Sequence, residues 1–146
     1  MAKKFKLQSV LNYRQSLEDQ AQQRLSDSLQ RRKDLELELQ GQREQLQRHD
    51  SALQDRQREG LTIAEMELFE APIRHCQRVI KQLQQQLERL DRQIEQEREE
   101  LLNAARDRQV MEKLKEKQEA EYRRELTRQE RAILDEISLR DKGDLS

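Results

Sequence analysis

Few side chains in this sequence are placed to do chemistry. The metal-ligating types outside the carboxylates are His49, His75 and Cys76. His75 and Cys76 are neighbours, so on a helix their side chains diverge by about 100°, a poor chelating geometry. His49 lies in a different segment and meets His75 only loosely in any pairing of the two. Cys76 is the single cysteine, so no disulfide can form within the chain. Its place in an apolar repeat suits a small hydrophobe better than a nucleophile. Carboxylates are abundant, but they alternate with Arg and Lys, the pattern of helical ion pairs on a solvated face. No glycine-rich phosphate loop occurs. Neither an enzyme nor a cofactor is expected.

Composition explains why a reaction centre is hard to build here. Of 146 residues, 40% are charged and 33% hydrophobic; aromatics are 3%, with three Gly and one Pro. Layered folds need more apolar bulk, and sheets need more β-branched residues and turns. Disorder and very long helices survive. The net charge is −1 with the signs interleaved. Lys3, Lys4 and Lys6, with Arg31, Arg32 and Lys33, are the nearest approach to a basic patch, and they read as solvated helix faces rather than a nucleic-acid site. No apolar run has the length of a signal peptide or a membrane span. The chain is expected in the cytoplasm, free to dock on a membrane complex from that side.

Periodicity decides for helix. In the first half, one column of a seven-residue frame reads Leu11, Glu18, Leu25, Arg32, Leu39, Leu46, Leu53. Its partner column reads Leu7, Arg14, Ala21, Ser28, Leu35, Gln42, His49, about half of it polar. Val10, Leu17 and Leu29 flank the seam. In the second half, Ile73, Cys76, Ile80, Leu83, Leu87, Leu90 and Ile94 step by three and four, as in a coiled coil. The pattern continues through Glu97, Leu101, Ala104, Arg108 and Met111 with two polar interruptions. A phase slip is expected near Leu114, after which Tyr122, Leu126, Gln129, Ile133 and Ile137 resume.

One break separates the halves. Gly60 suits the residue just past a helix end. Thr62 and Glu65 form a capping-box pattern, with Glu65 reaching back. The expected fold is therefore all-α, a long antiparallel two-helix coiled-coil hairpin with an overhanging C-terminal helix. As one domain over residues 1–146, it has a helix over about 5–59, a turn over about 60–62, a helix over about 63–140 and a frayed tail over 141–146. Pro72 either kinks the second helix or marks its first turn. Gly41 is read as helical because Leu39, Leu46 and Leu53 keep phase across it.

The helices are unequal, roughly 80 Å and 110 Å at 1.5 Å per residue. Folding back at Gly60 pairs Leu53 with 66–73 and Leu7 with the region of Leu114. About 20 residues of the second helix then overhang, on the order of 30 Å. They keep an apolar stripe, which an isolated helix has no reason to carry. The stripe implies a partner, either another protein or a second copy. Leu61, Ile63, Met66, Leu68 and Phe69 crowd the hairpin tip, some to cap the coiled coil and the rest to form a small docking patch.

Particular residues also carry a family resemblance. Phe5, Leu7, Val10, Leu11 and Arg14 resemble the F-x-L-x-x-V-L-x-x-R opening of the flagellar export protein FliJ family, continued by Ala21, Leu25 and Leu29. The segment from Ala105 through Val110 to Leu114 resembles the family's stretch before its C-terminal helix end. Arg128, Glu130, Leu134, Asp135 and Glu136 resemble its closing R-x-E-x-x-x-L-D-E pattern. The likeness covers nearly the whole chain.

That resemblance implies a non-enzymatic, stalk-like adaptor of the flagellar type III export apparatus, serving flagellum biogenesis and chemotaxis. Its implied partners are the hexameric export ATPase, whose assembly and activity it promotes, the membrane export gate protein, and export chaperones. It would sit on the cytoplasmic side of the cell membrane at the flagellar base, as a monomeric hairpin when free. Leu7, Leu11, Tyr122, Leu126, Ile133 and Ile137 would meet the ATPase. Met66, Phe69 and Ile73 would meet the gate, although Pro72 and Cys76 stand where larger exposed side chains are expected. Ile73 and Cys76 can equally be buried seam residues. The alternatives are the equivalent stalk of a virulence-type secretion system and a self-assembling structural coiled coil. No nucleic acid and no small-molecule substrate is expected.

Overall fold

The computed structural model describes residues 6–144. Lys3, Lys4 and Phe5, and the last two residues of the expected tail, lie outside the described residues. Two helices account for nearly all the rest: α1, Gln8–Glu59, and α2, Ile63–Asp144. No strand occurs among the described residues, and the fold is all-α with the two helices packed against each other. Lys6 and Leu7 form a turn that leads into α1, whose first bond runs from Leu11 N–H to the Leu7 carbonyl at 3.0 Å. At the other end α2 is still helical over 141–144, four residues past the expected boundary.

The connection follows from local chemistry. Gly60 has φ +92°, a left-handed conformation that costs a side-chain-bearing residue about 1–2 kcal/mol. Its N–H bonds the Gln57 carbonyl at 3.3 Å, closing α1. Arg56 and Arg58 lie in the last turn of α1, where the helix dipole favours cations. Thr62 caps α2 by accepting the Glu65 N–H on its Oγ1 at 3.2 Å. Only this half of the capping box is seen. The Glu65 carboxylate turns instead to Arg56, 3.5 Å away.

Pro72 sits inside α2, which continues through it. Its missing N–H leaves the Leu68 carbonyl without a ladder partner. Leu68 is 75% exposed, so water can serve that carbonyl.

Contacts divide the chain into two compact units. The first described here is Ala21–Leu101, a helical hairpin. Ion pairs join Arg24 to Glu100, Arg32 to Asp91 and Arg56 to Glu65. Residue numbers fall on α2 as they rise on α1, so the helices are antiparallel. The core is Leu35, Leu39, Leu83, Leu90 and Ile94, with Leu25, Val79, Ile80 and Leu87 packed against it. Ile73 and Cys76 are also buried. At about 25 cal/mol per Å² of apolar surface, this seam is the main stabilising term of the unit.

One polar joint interrupts that seam. Ser28 and Glu97 are both buried. The Ser28 hydroxyl donates to Glu97 Oε1 at 3.0 Å, and Gln93 Nε2 donates to the same oxygen at 2.8 Å. Glu97 Oε2 is buried without a hydrogen-bond partner. Arg32 bonds Asp91 at 2.5 Å and also pairs with Glu36. The Asp91 hydrogen bond, reinforced by both carboxylate charges, raises the Arg32 guanidinium above its ordinary pKa.

The second unit is Met1–Gln20 with Leu102–Ser146, described over 6–20 and 102–144. Here too the pairing is antiparallel, with Arg14 bonding Asp107 at 3.5 Å and Arg108 bonding Glu18. Arg108 also holds Glu112 at 2.7 Å, and these two hydrogen bonds raise its pKa. Leu11 and Met111 are buried. The shielded positions then continue by steps of four, three and four through Lys115, Gln118 and Tyr122. The seam thus keeps phase past Leu114, which is 43% exposed. The expected slip near Leu114 is absent because polar side chains, not apolar ones, carry the frame there. The change of phase falls after Tyr122, where Leu126 follows by a second consecutive step of four. Every residue from Arg123 to Gly143 is exposed.

Candidate protein-docking surfaces

The exposed arm of α2 begins at Arg123. Good helix formers sustain it, with Thr127 Oγ1 bonding the Arg123 carbonyl at 2.9 Å and Arg140 pairing with Glu136 at 3.2 Å. At about 100° per residue, Leu126, Ile133 and Ile137 fall within an arc of about 40°. Their exposures are 39%, 56% and 48%. Leu134 flanks them, while Leu139 lies on the far side of the helix. Arg123, Glu130 and Asp141 line one edge of the stripe; Glu125, Gln129, Glu136 and Arg140 line the other. The result is a thin aliphatic strip between charged margins, suited to a protein surface.

Of the six residues expected at an ATPase, four present surface: Leu7, Leu126, Ile133 and Ile137. Leu11 does not present surface. It is buried in its unit's seam, because its column faces the other helix. Tyr122 is half-buried at the end of the shielded run rather than part of the uncovered arm. Leu134, one of the apolar residues of the expected overhang, is exposed beside the stripe, although strict stepping by three and four leaves it out of the ATPase set.

A second patch lies at the start of α2 in the Ala21–Leu101 unit. Ile63 is 91% exposed and Leu68 is largely exposed, whereas Met66 and Phe69 are half-buried. Ile73 is buried with Cys76, so it does not belong to this surface. Periodicity hides the distinction, since it ranks Ile63 and Leu68 with their neighbours. Around them Arg74 pairs with Glu67 and Glu70.

Concavities are open grooves, such as that lined by Glu44, Arg48 and Ser51 on α1. Among the described residues, no group of three or more His, Cys, Asp or Glu is placed to hold a metal ion. No helix of the described residues is long and apolar enough to cross a membrane.

Comparison with known proteins agrees with the chain's architecture. No curated protein and no solved structure matches it. A family model described as "Flagellar FliJ protein" matches residues 3–142, nearly its whole length. The chain therefore belongs to the FliJ family, and with it to the components of the flagellar protein export apparatus.

Proposed function

We propose that this chain is the stalk-like adaptor of the flagellar export machinery, binding the hexameric export ATPase through the arm of α2 and promoting its assembly and turnover. The observation that carries this reading is the uncovered strip of Leu126, Ile133 and Ile137 on a helix that outlasts its intramolecular partner. Exposed aliphatic residues on a long helix cost solubility unless a partner covers them. A thin strip with charged margins gives weak, exchangeable contacts, as a shaft meeting unlike subunit states in turn requires. Leu7, on the other chain segment of the same unit, is an added contact.

The start of α2 serves the membrane export gate in this reading, through Ile63 and Leu68 with the exposed edges of Met66 and Phe69. The chain works at the cytoplasmic face of the membrane, and its remaining surface escorts export chaperones.

The test is turnover of the cognate hexameric ATPase with and without the full chain. Stimulation by the native chain, lost on Ile133→Asp with Ile137→Asp while the circular dichroism stays helical, is the expected result. Equal stimulation by the double variant would remove the arm from the mechanism. Binding should also weaken as salt rises, because the margins are charged.

A further inference from the structure

The margins of the arm are not randomly charged. Residues 122–131 hold four Arg against two Glu, and residues 132–141 hold Asp135, Glu136 and Asp141 against Arg140. The first half of the arm is thus basic and the second half acidic. An antiparallel partner of the same sequence would place each half against its opposite.

The apolar strip points to the same pairing. Leu126 and Ile137 stand at its two ends, with Ile133 between them. Setting Leu126 of one arm opposite Ile137 of another superposes the strips about a two-fold axis. In antiparallel helices, each flank faces the same flank of the partner. In this register Arg123 meets Asp141 on one edge, and Glu125 meets Arg140 on the other. Symmetry makes each pair occur twice, giving four opposite-charge contacts, against which stand the like-charge approaches of Glu130 to its own copy near the axis and of Glu125 to Glu136. Arg140 has only an exposed ion pair to give up, with Glu136.

We infer that the arm docks on the arm of a second copy of this chain, antiparallel, with Leu126 opposite Ile137. Three strip residues a side cover far less than the roughly 1,600 Å² of a stable complex. The pair is therefore weak and concentration-dependent, and dilute chain is monomeric. It uses the face assigned above to the ATPase, so the two contacts exclude each other. Self-pairing keeps the strip covered until a stronger partner takes it. The inference rests on the arm alone and stands whichever protein that partner is.

The experiment is sedimentation equilibrium of the full chain at low salt. The mass should rise from 17.7 kDa towards twice that value as concentration climbs through the micromolar range. Arg123→Asp alone and Asp141→Arg alone should each weaken association about tenfold, and the two together should restore it. Ile133→Asp should abolish it. In a Cys76→Ser background, chain carrying Leu126→Cys mixed with chain carrying Ile137→Cys should oxidise to the mixed dimer. Constant monomer mass would overturn the inference. So would association indifferent to the charge swap, or cross-linking only between two Leu126→Cys chains, which marks a parallel pair.

Discussion

The seam of the Ala21–Leu101 unit and the arm after Tyr122 are written in the same alphabet. Each has Leu and Ile recurring by threes and fours between Arg, Gln and Glu. In the seam, Leu83, Leu90 and Ile94 are more than nine-tenths buried. In the arm, Leu126, Ile133 and Ile137 are 39–56% exposed. Periodicity therefore specifies a face, not what covers it. Where the covering helix is part of the chain, the face is a core; where it is not, the same face becomes an interaction surface.

The largest separation should come from an acid placed in each face. Ile94→Asp buries an unpaired carboxylate and should cost about 3–5 kcal/mol, seen as a collapse of the thermal midpoint by circular dichroism. A near-native melt would mean that the seam opens readily.

The polar joint sharpens the contrast from inside the seam. Ser28→Ala removes one of two donors to Glu97 and should cost about 1–3 kcal/mol. Glu97→Leu replaces the half-satisfied carboxylate with an apolar side chain and should be neutral or stabilising, by about 1 kcal/mol. If both variants destabilise alike, packing rather than hydrogen bonding dominates the joint.

The glycines give a signed pair at about 1 kcal/mol. Gly60→Ala meets no atom within 4 Å but must hold a positive φ, so it should destabilise by about 1 kcal/mol. Gly41→Ala meets equally open space within α1 and should stabilise by about 0.5–1 kcal/mol. Urea melts with unchanged slope would resolve both.

The smallest effect is expected in the arm. Ile133→Asp with Ile137→Asp touches no core and should shift stability by less than about 0.5 kcal/mol. A large loss of helicity would make the arm part of the folded core and erase the contrast.

Much of the architecture was legible before any coordinates. The ends at Glu59 and Ile63 follow from Gly60 and Thr62, whose roles are local. The two columns of α1 also face inward, yet apolarity misjudged their order. Ser28, on the half-polar column, is buried, while Leu25 and Leu46 on the Leu-rich column are only half so. A serine beside a glutamate across the seam can be buried because each satisfies the other, and such pairing is invisible along one strand of sequence. Glu65 was misplaced for the same reason, since Arg56 reaches it from across the turn. At the start of α2, composition marks a crowd of apolar residues, but only geometry separates exposed Ile63 and Leu68 from buried Ile73. Likewise Leu11 fits the family's opening pattern, and its burial gives that fit a packing reason.

The three-residue turn at Gly60 also sets a kinetic order. In the Ala21–Leu101 unit, Arg56 and Glu65 are neighbours across the turn, whereas Arg32 and Asp91 are separated by 59 residues and Ser28 and Glu97 by 69. Closing each wider loop from the unfolded chain costs more entropy, about 0.6 kcal/mol per doubling. Once the turn has formed, every further contact closes only a small additional loop. The hairpin should therefore zip from Gly60 outward, each heptad templating the next, with a low effective contact order for so long a pair of helices. Opening runs in reverse, so the Ser28–Glu97 joint is among the last contacts of its unit to close and the first to be released.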